Sequence, residues 1–307
     1  MKSKKVVVTG GTGLIGKQLC KALLNKGYYV VLLSRNPSSA KKILPEVNEI
    51  HYWNDYENKS YSEFLEGAFG VVHLGGANIA AKKWTSKYKD EIYKSREVTT
   101  RILVNSISLL KEKPEVFVSS SAVGIYGNRG EEVLTEESSL GDDFLSEVCK
   151  VWEDEASKVE KLNVRCVKVR TGIVLSKDGG ALKKMIMPFK WFIGGQLGDG
   201  KQGMSWIHID DIVNLFLFAI ENKEVNGVIN GTAPNYVSMG VFAKILGKIM
   251  HRPSIFKVPE FVLRLLLGEG ADAVLSSQFV HPNQAIKLGY NFQYPTLETA
   301  LLSLFKK

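Results

Sequence analysis

The stretch from Val6 to Gly16 restricts the fold more than any other part of this chain. Val6, Val7 and Val8 are β-branched and read as a strand buried on both faces. Thr9 to Gly13 then turn the chain into Leu14–Leu24, where Leu14, Ile15, Leu19, Ala22 and Leu23 recur at helical spacing and Gly27 supplies a cap. Gly10, Gly13 and Gly16 stand three apart. The tight turn, the close approach to a pyrophosphate and the helix–strand contact therefore each fall on a residue without Cβ. With Thr12, Leu14 and Ile15 they place backbone N–H groups at a helix start, where the dipole favours an anion. A second apolar run, Tyr29 to Leu33, follows. A strand, a glycine turn, a helix and a second strand in that order read as a dinucleotide site.

The bulk numbers agree with such a fold. A chain of 307 residues suits one large α/β domain with an appended lobe, or two modest domains. The basic start is followed by only three apolar residues before the glycines, too few for a signal peptide, and no apolar run approaches a membrane span. Cys20, Cys149 and Cys166 are far apart and odd in number, which points to a reducing, cytoplasmic setting and away from a disulfide frame or zinc site. The net charge of +8 is spread along the chain without an aromatic-interleaved basic block. Anionic small molecules are therefore the expected partners, with neither nucleic acid nor membrane.

The end of the second strand bears on which dinucleotide. An NAD site usually has an Asp or Glu there to hold the ribose 2′-hydroxyl. Here Ser34 and Arg35 occupy the place, a hydroxyl and a guanidinium suited to a 2′-phosphate. A hydrogen bond to a charged group contributes about 1.5–3 kcal/mol, hence a roughly 10- to 150-fold preference for NADP(H). Residues 45–68 hold a polar stretch from His51 to Asp55 and a short helical pattern. The next core strand runs from Gly70 and ends in small residues, placing Leu74, Gly75 and Gly76 beside the adenosine half of the cofactor. A Lys- and Trp-rich segment from Asn78 leads into a helix through Arg96 and Ile107, then into a strand from Glu115 to Ser121.

Four motifs in this order carry a resemblance along nearly the whole chain: Thr9 to Gly16, His73 to Gly76, Ser119 to Gly127, and Trp206 to Asp211. The chain resembles an extended, NAD-dependent epimerase/dehydratase-like short-chain dehydrogenase/reductase. With Gly194 to Gly200 and Arg264 to Glu269 it is most similar to an atypical branch known simply as epimerase family proteins. The resemblance implies an α/β Rossmann fold: a doubly wound, seven-stranded parallel sheet with a smaller mixed C-terminal substrate lobe. The cofactor domain would span 1–175 with a contribution from about 206–232, and the lobe 176–307. The resemblance also lets Glu91 touch the cofactor and sets the backbone at Val174 against the nicotinamide carboxamide.

Two departures from the family pattern matter. Extended members carry a Tyr-x-x-x-Lys dyad in the helix that here runs from Asp142 to Glu153; one register puts Leu145 and Cys149 at those places, the other Phe144 and Val148. General acid–base assistance contributes roughly 10²–10⁴ in rate, so another group must substitute if that chemistry is kept. Ser121 and Tyr126 are the candidates. Two readings stay open: a catalytic pair, or hydroxyls that finish a buried strand end and wall the pocket. The second departure is Arg96, in the place of a helix asparagine, where a guanidinium suits a cofactor phosphate or an acidic substrate.

The strand read at 164–175 ends near the nicotinamide. Beyond it come a helix at 183–189, a glycine-rich loop at 194–203 that would close the cleft, a helix capped by Asp210 or Asp211, and a last strand at 226–232. Helices at 238–250, 259–267 and 297–305 carry apolar stripes that read as core or as the face of a homodimer. Met204 and Ser205 stand where sugar-nucleotide epimerases have an arginine, which disfavours a nucleotide-diphosphate sugar. Lys184, Gln202, Ser205 and His208 suit a smaller anion or carbonyl compound. The leading expectation is an NADP(H)-dependent oxidoreductase or epimerase-like enzyme. A cofactor-binding regulatory protein without turnover is the alternative, and a sugar-nucleotide epimerase the third reading.

Overall fold

The computed structural model describes residues 3–54 and 60–305; Asp55, the end of the polar stretch, lies outside the described residues. The first half alternates strand and helix: β1 (Lys5–Thr9), α1 (Leu14–Asn25), β2 (Tyr29–Ser34), α2 (Pro37–Ile43), β3 (Glu49–Tyr52), β4 (Gly70–His73) and α3 (Ser86–Ser108). There follow β5 (Val116–Ala122), α4 (Phe144–Ser157) and β6 (Arg165–Thr171). The second half contributes α5 (Gly180–Lys190), α6 (Ile209–Glu221), β7 (Gly227–Gly231), α7 (Met239–Met250), α8 (Glu260–Leu267) and α9 (Leu297–Phe305).

The seven strands form one parallel sheet in the order β7-β6-β5-β4-β1-β2-β3. Alternation along β1 explains why both faces are covered. Val6 and Val8 point into a core closed by α1 and α6, while Val7 points into the opposite core with Phe117, Leu103 and Ile107. The strand order reverses direction between β1 and β4, where a crevice opens at the carboxyl ends of the strands. A separate apolar cluster built on Leu182, Phe189, Trp206, Phe242, Leu246 and Leu301 holds the lobe.

Three local readings are corrected. The strand read at 164–175 is two strands: Gly172 leaves the main sheet, and Ile173–Leu175 pairs in parallel with Trp206–His208. A Cβ at Gly172 would lie 2.6 Å from the Ser205 carbonyl oxygen, so the crossing needs glycine there. The cap of α6 is His208, whose Nδ1 accepts from the Asp210 N–H at 3.1 Å. Asp211 instead accepts from the backbone N–H groups of Gln293 (2.7 Å) and Tyr294 (2.9 Å), fastening the C-terminal segment to the start of α6. The glycine-rich loop is no free lid, since Gly195–Leu197 pairs with Phe256–Val258.

At the outer end of the lobe, α5 and α7 each close on a non-glycine residue in the left-handed region, Phe192 (φ 61) and His251 (φ 53). For α5 the bonds from Phe192 N–H to the Phe189 carbonyl and from Ile193 N–H to the Pro188 carbonyl, both 3.0 Å, complete a terminus that normally takes glycine. The three cysteines are unpaired and buried, and burial pushes each thiol up to about 12. Among the described residues no helix is long and apolar enough to cross a membrane, and no cluster of His, Cys, Asp and Glu could hold a metal.

Candidate functional site

A crevice of about 300 Å³ lies over the carboxyl ends of β1, β2 and β4. Its floor is the glycine turn. Gly10 has φ +69, and a Cβ there would stand 2.7 Å from the Leu74 carbonyl group. Gly16 presses α1 onto the turn: a Cβ would lie 2.3 Å from the Gly10 carbonyl oxygen. No side chain caps α1 and its first turn holds no carboxylate, so its N-terminal end is electrostatically open to an anion.

Of the residues singled out from sequence, the crevice brings together Gly10, Thr12, Gly13, Ser34, Arg35, Leu74, Gly75 and Gly76. Among the residues it adds that were not foreseen as site residues are Asn36, Ser39, Trp53 and Thr99. Asn36 caps α2 by accepting from the Ser39 N–H at 2.9 Å, and the Ser34 hydroxyl accepts from the Asn36 N–H at 3.2 Å, so the loop carrying Arg35 is held at both sides. The Asn-Pro start of α2 was the signal that could have flagged Asn36. Among the described residues, none that lines the crevice is a carboxylate. Behind the lining, His73 is buried between the hydroxyls of Thr9 (2.7 Å) and Thr99 (3.1 Å). Burial, aided by the Arg96 charge, pulls its pKa down to about 3, leaving a neutral imidazole.

Leu14 and Val174 lie outside the crevice lining; both stand near the start of α5, where a Cβ at Gly180 would be 3.0 Å from the Leu14 side chain and 3.7 Å from the Val174 carbonyl oxygen. Ile15 packs into the core behind α1. Glu91 lies outside the crevice lining, its exposed carboxylate 3.5 Å from Lys82. Arg96 reaches under the loop after β4: its guanidinium donates to the carbonyls of Ile92 (3.0 Å) and Ala77 (3.2 Å) and lies over the Trp152 ring. A Cβ at Gly76 would stand 3.2 Å from its Cζ. Among the described residues no carboxylate pairs with it.

Ser121 and Tyr126 do not line the crevice. The Ser121 hydroxyl donates to Glu153 at 2.6 Å, and Arg170 makes a two-pronged pair with the same carboxylate, both contacts 2.8 Å. Arg170 also donates to the Tyr126 oxygen at 2.9 Å, and Tyr126 donates to the Asn230 side chain at 2.8 Å. All five residues are buried. Burial raises the Tyr126 pKa despite the neighbouring Arg170, so its phenol is no readier to ionise than a free one. Burial opposes the charge of Arg170, but its bonds to Glu153 outweigh that and hold it firmly cationic.

The polar groups read in the lobe do not converge either. Lys184 donates to the Ala80 carbonyl, Gln202 to that of Leu197, and Ser205 to that of Gln278, while His208 faces Ser303. Each is used in holding loops together.

Residues 6–230 match the model of the NAD dependent epimerase/dehydratase family. The chain belongs to that family. Residues 258–304 match a domain of unknown function, DUF1731. The chloroplastic epimerase family protein SDR39U1 homolog of Arabidopsis thaliana is 42% identical over 304 residues, 98% of this chain and 86% of that one. Among solved structures, the human epimerase family protein SDR39U1 with NADPH superposes with a TM-score of 0.87 at 31% identity, covering 98% of both chains. The UDP-glucuronic acid 4-epimerase from Bacillus cereus in complex with NAD has a TM-score of 0.77 at 20% identity, covering 97% of this chain and 96% of that one. That likeness is one of fold. The helix α4 of this family member carries Leu145 and Cys149 in one of the two registers read for the Tyr and Lys, and Phe144 and Val148 in the other.

Proposed function

We propose that this chain binds NADP(H) in the crevice and acts as an oxidoreductase or epimerase-like enzyme on a small molecule in the cytoplasm. The observation that carries the cofactor reading is the crevice wall at the end of β2, where Ser34, Arg35, Asn36 and Ser39 gather and, among the described residues, no carboxylate lines the site. An acidic residue there would repel a 2′-phosphate; a guanidinium attracts it. The glycine cradle fits a pyrophosphate, because the space a Cβ would need is taken by Leu74 and Gly10. The NADPH in the human relative's structure supports the same choice.

The bound cofactor would supply or accept hydride. Around it, Leu14, Val174 and Gly180 would wall off water beyond the crevice lining. Arg96 would stand in for the missing lysine as the local cation, stabilising negative charge without giving up a proton. Ser121 and Tyr126, committed to Glu153 and Asn230, would brace the floor and move no proton. The same commitment favours a second reading, an NADPH-binding regulatory protein without turnover. A sugar-nucleotide epimerase is disfavoured by Met204 and Ser205 in the arginine's place.

Calorimetric titration with NADPH and NADH tests the cofactor reading. NADPH should bind roughly 10- to 150-fold tighter, and Arg35→Ala should erase the difference. Equal curves on the unaltered chain would sink it. Ser121→Ala and Tyr126→Phe should leave any NADPH-dependent turnover in place.

A further inference from the structure

The outer end of the lobe exposes five large apolar side chains: Trp191 (72%), Phe192 (56%), Ile193 (56%), Ile255 (77%) and Phe256 (45%). They form one patch. The Phe256 N–H donates to the Gly194 carbonyl, the strand Phe256–Val258 pairs with Gly195–Leu197, and the Arg252 guanidinium lies 4.4 Å from the Phe192 ring centre. An exposed cluster of this kind on a soluble fold marks a surface that something covers. Two of the three non-glycine residues with positive φ among the described residues, Phe192 and His251, sit in or beside this patch. Glycine at 192 would relieve the backbone, yet the position holds a phenylalanine that stays more than half exposed.

The charge around the patch says what covers it. Segments 180–198 and 239–258 together carry seven lysines and arginines and not one Asp or Glu. Six of the seven are exposed; Arg252 is half-buried over Phe192. A second copy of the chain would set these cations against themselves across a two-fold interface. We propose that this end of the lobe docks on the surface of an anionic phospholipid bilayer, with Trp191, Phe192, Ile193 and Ile255 among the acyl chains near the headgroups and the lysines on the phosphates. No single run of the sequence carries this surface, because two segments some sixty residues apart build it. That is why the sequence, read linearly, pointed away from a membrane partner.

The test uses the full chain and extruded vesicles of phosphatidylcholine, alone or with about one third phosphatidylglycerol. At low salt the chain should co-sediment with the anionic vesicles at least tenfold more strongly than with neutral ones, and release in about 0.5 M salt. The other four tryptophans are buried, so a blue shift of tryptophan emission on binding reports Trp191. Phe192→Gly places glycine where the backbone favours it, so thermal melting should show a fold at least as stable while vesicle binding falls tenfold or more. Lys190→Glu with Arg252→Glu should do the same through charge. Equal binding to neutral and anionic vesicles, no binding, or binding indifferent to these variants would overturn the proposal. So would a dimer in sedimentation equilibrium that Phe192→Gly dissociates.

Discussion

Arg170→Met removes one partner from a buried pair and leaves the Glu153 carboxylate facing only the Ser121 hydroxyl. Glu153 and Arg170 are 8% and 4% exposed, so solvent does little to soften the loss. Breaking a buried ion pair from one side costs about 3–5 kcal/mol. At roughly 2–4 °C per kcal/mol for a chain of this class, the melting temperature should fall by about 10 °C. Adding Glu153→Gln removes the stranded charge and should recover part of the loss, giving a coupling energy of about 2–3 kcal/mol in a double-mutant cycle. Urea unfolding followed by circular dichroism reads all four proteins. NADPH affinity, measured well below the melting point, should not change, because none of these residues lines the crevice. A single variant within about 1 kcal/mol of the parent, or two strictly additive changes, would refute the idea that a mutually dependent network holds the sheet end.

Gly16→Ala should destabilise by about 1–3 kcal/mol and weaken NADPH binding, since the new methyl collides with the Gly10 carbonyl oxygen at 2.3 Å. In an unconstrained helix interior the same change stabilises by about 1 kcal/mol, so the sign alone decides. His73 makes stability fall with acid. Its folded pKa near 3 lies below the ordinary 6.5, so the unfolded chain binds the proton first; its contribution is complete above about 6.5 and is lost as pH drops towards 3. From about pH 7 to about pH 5 this group alone should remove about 2 kcal/mol, and His73→Asn should flatten the slope by that amount in urea midpoints. Parallel slopes for the two proteins would show that another group is responsible.

The glycine turn, the strands around it and the guanidinium after β2 were legible because each is a local pattern of residue type and spacing. Buried parallel strands announce themselves as unbroken β-branched runs, and Val6 to Val8 or Val71 and Val72 need no partner to be read. The reading failed where meaning depends on contacts distant in sequence. For Ser121 the catalytic and structural readings stayed open, because a strand-end hydroxyl gives no sign of the carboxylate thirty-two residues on to which it donates. Arg170 attracted no notice, since a lone cation in a strand usually faces water, and only the fold sets it against Glu153 and Tyr126. Gly172 was read through as strand interior because the reason for it, the Ser205 carbonyl, arrives thirty-three residues later. The cap of α6 was assigned to an aspartate on propensity, whereas the carboxylate of Asp211 was already claimed by the backbone at 293 and 294.

The chain leaves the main sheet after Thr171, returns through Trp206–His208 and α6 to lay down β7, leaves again, and is tied back where Asp211 grips residues 293 and 294. No one cut therefore separates a nucleotide-holding module from a lobe module. Grafting a foreign lobe onto this scaffold would take several simultaneous splices, each at a junction stitched by backbone bonds. New specificities on such a scaffold should accordingly accumulate by replacing side chains and loops in place, rather than by exchanging whole units.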